Sequence, residues 1–128
     1  MPTFRKRVRF YNVTLSRSEE VDALVDTGAS FSQIPGEVAA RLGLTAFQVR
    51  HVRLANGLVV ETGLANAFVE LVDSPGPAAD TVILGTQNAP ALLGVHTLDS
   101  LGVGVDTDGT RLIEKVFDLL RQTNWPTI

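Results

Sequence analysis

Short apolar runs separated by turn residues dominate the chain, which is the spacing of a mostly-β protein. Val8 and Phe10 alternate with Arg7 and Arg9, predicting a strand with one buried face. The parity then switches to Tyr11, Val13 and Leu15. A one-residue slip moves every side chain to the opposite face, so the switch predicts a bulge or the end of the strand. Ser16 to Glu20 is a polar turn, and Val21 to Val25 resumes as a strand that runs straight into Asp26-Thr27-Gly28. Val49–Leu54 and Leu58–Thr62 flank Ala55-Asn56-Gly57, where Asn-Gly readily supplies the positive φ of a tight, exposed hairpin turn. Ala65, Ala67, Val69 and Leu71 share a parity. Asp73-Ser74-Pro75-Gly76-Pro77 is expected to break that strand before Thr81–Leu84 begins another.

Only two stretches have helical character, Pro35–Leu42 and Val95–Leu101. Pro35 suits a first helical turn, Val38 and Leu42 lie four apart, and Gly43 and Gly102 stand where each helix would stop. Leu92-Leu93-Gly94 precedes the second helix. Val103–Val105 and Arg111–Ile113 predict a hairpin turning at Asp108-Gly109, and Val116–Leu120 fits strand or helix.

With 128 residues the chain is long enough for one core, and residues 1–128 are read as a single domain. Its 45% hydrophobic and 20% charged residues fit a folded chain rather than wholesale disorder. A net charge of -3 argues against a dedicated nucleic-acid binder. Arg5, Lys6, Arg7 and Arg9 are basic, but Lys6 alternates with the three arginines, as in a charged edge strand. The absence of cysteine removes disulfides, thiol nucleophiles and zinc-thiolate sites from consideration. No apolar run approaches the roughly 20 residues that span a bilayer. The basic start has no apolar export core behind it, so no membrane partner and a cytoplasmic location are expected.

The candidate chemistry lies at the end of the Val21–Val25 strand. Carboxylate-driven peptide hydrolysis needs two side chains around one water, one removing a proton as the water attacks and the other donating to the carbonyl oxygen. Two carboxyls within hydrogen-bond reach share a proton and titrate as a pair; aspartic proteases are the standard illustration of that rule. The chain offers a single Asp-Thr-Gly, so a twofold axis between two copies is the way to supply the second aspartate. Glycine after the turn lets backbone approach a substrate closely, and threonine can hydrogen-bond to a partner loop.

Three ordered features carry a resemblance: Leu24-Val25-Asp26-Thr27-Gly28-Ala29-Ser30, the hairpin at Arg53-Leu54-Ala55-Asn56-Gly57, and Leu92-Leu93-Gly94-Val95 through Leu98 and Leu101-Gly102. From about Val21 to Ile113 the sequence resembles the retropepsin-like aspartic peptidases, within them the small prokaryotic single-domain families and the related protease domain of a ubiquitin receptor. The resemblance implies an acid-protease fold: a closed β-barrel with one or two short helices, equivalent to half of a pepsin-like bilobal enzyme. It implies a homodimeric aspartic endopeptidase acting on extended polypeptide, with its active site at the subunit interface and no cofactor or metal. By the same carry-over Asp26 is catalytic, Thr27 braces the two loops and Gly28 faces the substrate backbone. Gly28, Ala29, Ala55, Asn56 and Gly57 contact substrate, the last three as a flap, while Leu93 and Gly94 support the catalytic loop from beneath. The flap lacks the glycine richness of viral enzymes. Ala29 stands where pepsin-like enzymes usually carry serine, which resembles enzymes working at less acidic pH.

Other readings are weaker. Asp106-Thr107-Asp108-Gly109 partly repeats the motif, but Asp108 occupies the required glycine position. Placed as a calcium loop, it puts Gly104 on the first ligand and Lys115 on the terminal glutamate. His51 and His96 are far apart and no His-Glu-x-x-His occurs; no Gly-x-Ser-x-Gly elbow is present, and Gly102-Val103-Gly104 lacks the third glycine of a dinucleotide site. The alternative of another class is a catalytically silent dimeric module that binds peptide or serves assembly through the same fold.

Overall fold

The computed structural model describes residues 3–118. Nine strands and two short helices follow one another as β1 (Phe4–Tyr11), β2 (Ser18–Val25), β3 (Ser32–Ile34), α1 (Gly36–Leu42), β4 (Gln48–Arg53), β5 (Val59–Leu71), β6 (Ser74–Leu84), β7 (Leu92–Leu93), α2 (Val95–Leu101), β8 (Val103–Val105) and β9 (Leu112–Glu114). The mostly-β expectation and both helices hold. Pro35 sits one position earlier than expected, as the residue before α1, and both helices end on glycines in the left-handed conformation.

Seven strands form one sheet in the order β1-β2-β7-β3-β6-β5-β4, and β8 and β9 form a separate hairpin. An additional antiparallel pairing of β1 with β5, Val8 opposite Leu71 through Tyr11 opposite Phe68, brings the sheet back on itself. The side chains that alternate inward then meet. Val8 and Phe10 of β1, Ala23 and Val25 of β2, Ala67, Val69 and Leu71 of β5, and Val82 of β6 enclose one core, with Val38, Ala39 and Leu42 of α1 and Leu98 of α2 packed onto it.

Three local expectations are corrected. The first turn is Asn12–Arg17 rather than Ser16–Glu20, because the Asn12 side-chain oxygen accepts the N–H groups of Ser16 (2.9 Å) and Arg17 (3.0 Å), closing the turn early. Ser18, Glu19 and Glu20 therefore already belong to β2. Pro75-Gly76-Pro77 does not interrupt the sheet but lies in β6. β3 pairs with β6 only at Val82–Leu84, so the proline-bearing stretch has β5 alone as neighbour, across a register shift at Val69/Leu71. A missing proline N–H is tolerated at such an open side or bulge.

The third correction concerns the basic strand. β1 is paired along its whole length with β2 and, at Val8–Tyr11, with β5 as well, so the edge expectation holds for Phe4–Arg7 and fails for the half that carries Arg9. Its cations are matched to acids: Arg5 to Asp22, Lys6 to Asp73, Arg7 to Glu20, and Arg9 to both Glu20 and Glu70. Glu70 is the buried member of this set, at 3% exposure. Its carboxylate accepts the Tyr11 hydroxyl (2.5 Å), the Gly76 N–H (2.9 Å) and the Arg9 guanidinium (2.6 Å), tying β1, β5 and β6 together where the sheet returns on itself. These donors, Tyr11 foremost, hold the Glu70 carboxyl below its ordinary value, while Glu70 raises both Tyr11 and Arg9.

A carboxyl depressed in the folded state contributes stability above its unfolded value and loses it as the pH falls through its folded value. The thermal midpoint is therefore expected to drop as the pH is lowered from 4.5, the ordinary Glu70 value. Glu70→Gln should make that acid slope shallower and lower the midpoint at neutral pH. Melting curves of both proteins across the acid range check this, and parallel slopes would contradict it.

Candidate active site

β7 lies between β2 and β3, pairing in parallel with β2 (Leu24 with Leu92, Val25 with Leu93) and antiparallel with β3 (Gln33 with Leu92). The loop from Asp26 to Phe31 joins β2 to β3, so it must cross over the end of β7. Main-chain bonds fix the crossing. The Asp26 N–H donates to the Leu93 carbonyl (2.9 Å), the Val95 N–H to the Ala29 carbonyl (2.9 Å) and the His96 N–H to the Ser30 carbonyl (2.9 Å).

Gly94 lies directly beneath the crossing. A Cβ built there would stand 2.5 Å from the Phe31 carbonyl oxygen and 2.8 Å from that of Ala29, which are backbone atoms that cannot rotate away. Only glycine lets the two segments approach this closely. The fully buried Leu93 packs in the core below. Leu93 and Gly94 are thus in direct contact with the Asp-Thr-Gly loop, Leu93 through its carbonyl and Gly94 through its missing side chain.

Within the loop, the Asp26 Oδ1 accepts the Gly28 N–H (2.9 Å) and the Asp26 carbonyl accepts the Ala29 N–H (3.1 Å). The carboxylate is consequently oriented by its own turn, with Oδ2 as its second acceptor. Asp26 is half-buried, while Thr27 and Gly28 are exposed. A shallow cavity of about 400 Å³ opens beside them, walled by Thr27–Phe31 and by Val95, His96 and Asp99 of α2.

The Ala55-Asn56-Gly57 turn forms as expected: the Leu54 N–H bonds the Leu58 carbonyl (2.8 Å), the Asn56 side chain accepts the Leu58 N–H (2.9 Å), and Gly57 takes φ +86. These three residues do not contribute to the walls of that cavity. The structure therefore brings together Asp26, Thr27, Gly28, Ala29, Leu93 and Gly94, and leaves the hairpin tip as a separate exposed feature. Asp106 is engaged in its own turn, accepting from Thr110 N–H (3.0 Å) and Arg111 (3.0 Å).

Three residues that the sequence did not single out, Ser32, Asp80 and Thr97, lie under the loop together with His96, which was weighed there only as a metal ligand. Ser32, Asp80 and Thr97 are buried, and His96 is half-exposed. Asp80 receives the Thr97 hydroxyl (2.5 Å) and meets His96 Nδ1 (2.7 Å); Thr97 bonds Ser32, which accepts the Gly94 N–H (3.0 Å). The His96 ring also packs on Phe31, centroid to centroid 5.2 Å. One signal was available: Asp80 has the parity of Ala78 and Val82, so the period of β6 puts a carboxylate on an inward position. Among the described residues no group of three or more acidic or histidine side chains is arranged to hold a metal, and no helix is long and apolar enough to cross a membrane.

A mostly-β chain whose Asp-Thr-Gly loop crosses an apolar-apolar-glycine strand has the layout of a retropepsin-like aspartic peptidase. Residues 11–100 match the family model described as "gag-polyprotein putative aspartyl protease", and the chain belongs to that family. Among solved structures it is similar to EIAV protease complexed with the inhibitor HBY-793, at 18% identity and a TM-score of 0.62, covering 80% of this chain and 91% of that one. It is also similar to a retropepsin-like aspartic protease from Rickettsia conorii, at 18% identity and a TM-score of 0.51, covering 83% of this chain and 86% of the other. At such identity these two likenesses speak to the fold. A comparison with curated proteins yields no match.

Gly94→Ala forces a side chain against two carbonyl groups. Overpacking of this kind typically costs about 1–3 kcal/mol. Urea unfolding of Gly94→Ala should show a loss of that order, and a wild-type midpoint would mean that the crossing is looser than described.

Proposed function

We propose that the chain is an aspartic endopeptidase that works as a homodimer, each 1–128 domain contributing one Asp26. The observation that carries the reading is the Asp26 carboxylate itself: half-buried, oriented by the Gly28 N–H, and next in the chain to the Thr27–Phe31 wall of a shallow cavity, in a chain with a single Asp-Thr-Gly. One such carboxylate lacks the partner that peptide hydrolysis requires. A second copy related by a twofold axis supplies it, and the two carboxyls then share one proton.

In this reading a water between the paired Asp26 side chains loses a proton to one carboxylate as it attacks the peptide carbonyl. The other, protonated, Asp26 donates to the carbonyl oxygen. The resulting tetrahedral intermediate collapses as the C–N bond breaks and the leaving nitrogen takes up a proton. Gly28 and Ala29 present backbone to an extended peptide, and Thr27 braces the two loops. The β4–β5 hairpin acts as the flap, with Ala55, Asn56 and Gly57 at its tip. Its exposed Val49, Leu54, Leu58 and Val59 give it an apolar surface suited to covering a bound peptide. No cofactor or metal takes part.

The test is cleavage of a mixed peptide library across about pH 3 to 8 by the wild type and by Asp26→Asn. Cleavage by the wild type, lost by at least about a thousandfold in Asp26→Asn at unchanged melting temperature, is the expected result; removing a member of a catalytic constellation has effects of that size. Equal rates in the two proteins would overturn the assignment. Peptide binding without cleavage by either would favour the silent dimeric module.

A further inference from the structure

The hydrogen bonds beneath the loop have a direction. As a carboxylate, Asp80 can only accept, so the Thr97 hydroxyl must donate to its Oδ2 (2.5 Å). The Thr97 oxygen is then left to accept from the Ser32 hydroxyl, and the Ser32 oxygen to accept the Gly94 N–H (3.0 Å). The chain Gly94 N–H to Ser32 to Thr97 to Asp80 thus has its proton order set by the carboxylate at its end. It links four elements: the strand β6, the strand β3, the helix α2 and the glycine under the Asp26 loop. Asp80, Ser32 and Thr97 are buried, at 6%, 0% and 0% exposure, so no water competes for these bonds.

Burying a carboxylate is costly unless its acceptors are filled. Here they are filled by groups that hold the crossing in place, and among the described residues the one basic side chain that meets Asp80 is the His96 imidazole, at its Oδ1. What the carboxylate adds is a fixed orientation for two hydroxyls and, through them, for Gly94, whose neighbours Val95 and His96 donate to the Ala29 and Ser30 carbonyls.

We propose that Asp80 is a positioning residue for the peptidase reaction, holding the Asp26 loop in its working geometry through Thr97, Ser32 and the Gly94 N–H. The proposal rests on the catalytic reading of Asp26, and its consequence for structure can be measured independently of that reading. Thr97→Val is nearly isosteric and removes the relay while leaving the His96 contact to Asp80 intact; Thr97→Ser keeps the hydroxyl. Small misplacements of a reacting group remote from the substituted residue lower rates by up to about a hundredfold.

The experiment measures kcat, KM and amide hydrogen exchange for wild type, Asp26→Asn, Asp80→Ala, Thr97→Val and Thr97→Ser. Thr97→Val and Asp80→Ala should each lower kcat by about tenfold to a hundredfold. KM in Thr97→Val should stay nearly unchanged, and Thr97→Ser should stay near the wild type. The amides of Gly94, Val95 and His96 should exchange faster in Thr97→Val and Asp80→Ala, with those of Phe10 and Val69 in the core unaffected. Wild-type kcat in Thr97→Val, or exchange at Gly94–His96 that is unchanged or accelerated only together with the core, would overturn the proposal. Wild-type turnover in Asp26→Asn would sink the catalytic reading instead, and the exchange data would still decide whether Asp80 holds the loop.

Discussion

The molecule is organised by a backbone crossing. β7 is inserted between β2 and β3, so the six residues from Asp26 to Phe31 have to pass over its end. The passage is close enough that a single Cβ at residue 94 would meet two carbonyl groups. Everything at the candidate site follows from that contact. The Asp26 N–H is satisfied by Leu93, the carbonyls of Ala29 and Ser30 are satisfied by the start of α2, and the Asp26 carboxylate accepts the Gly28 N–H within its own turn. Rigid elements of this kind are the usual support for a reacting side chain, because disorder of even one ångström is expensive in rate.

Two buried carboxylates serve this architecture in different places. Glu70, bonded to Tyr11, Gly76 and Arg9, fastens the sheet where β1 meets β5 and β6. Asp80 organises hydroxyls below the loop. Both have their acceptors occupied, which is the condition under which a buried charge is tolerable. The basic first strand belongs to the same electrostatic scheme: its four cations are matched by acids of β2, β5 and the β5–β6 turn.

Much of this was legible along the chain. The strand ending in Asp26, the Leu92-Leu93-Gly94 segment, the Asn56-Gly57 turn and the two glycine-ended helices depend on local chemistry, so periodicity and turn residues were sufficient to find them. Pairing partners were not legible, because alternation tells which face a residue takes but not which strand lies beside it. That is why the second neighbour of β1 at Val8–Tyr11 and the β2–β7–β3 insertion were invisible. Pro75 and Pro77 misled for a related reason: a proline ends a strand only where a ladder bond is lost, and β6 has one open side there. Ser32, Asp80 and Thr97 gain their meaning from one another across three elements. The part of the Val116–Leu120 expectation covering residues 116–118 forms no regular element, and its remainder lies outside the described residues.

The central claim is that two Asp26 side chains, one from each of two subunits, form a single reacting pair, and subunit mixing tests it most directly. Wild-type and Asp26→Asn chains are unfolded together, refolded at varied ratios and assayed for cleavage at constant total protein. If both carboxylates are required, mixed dimers are inactive and activity falls as the square of the wild-type fraction. A linear fall would mean that each chain works with its own Asp26 alone, contradicting the shared site.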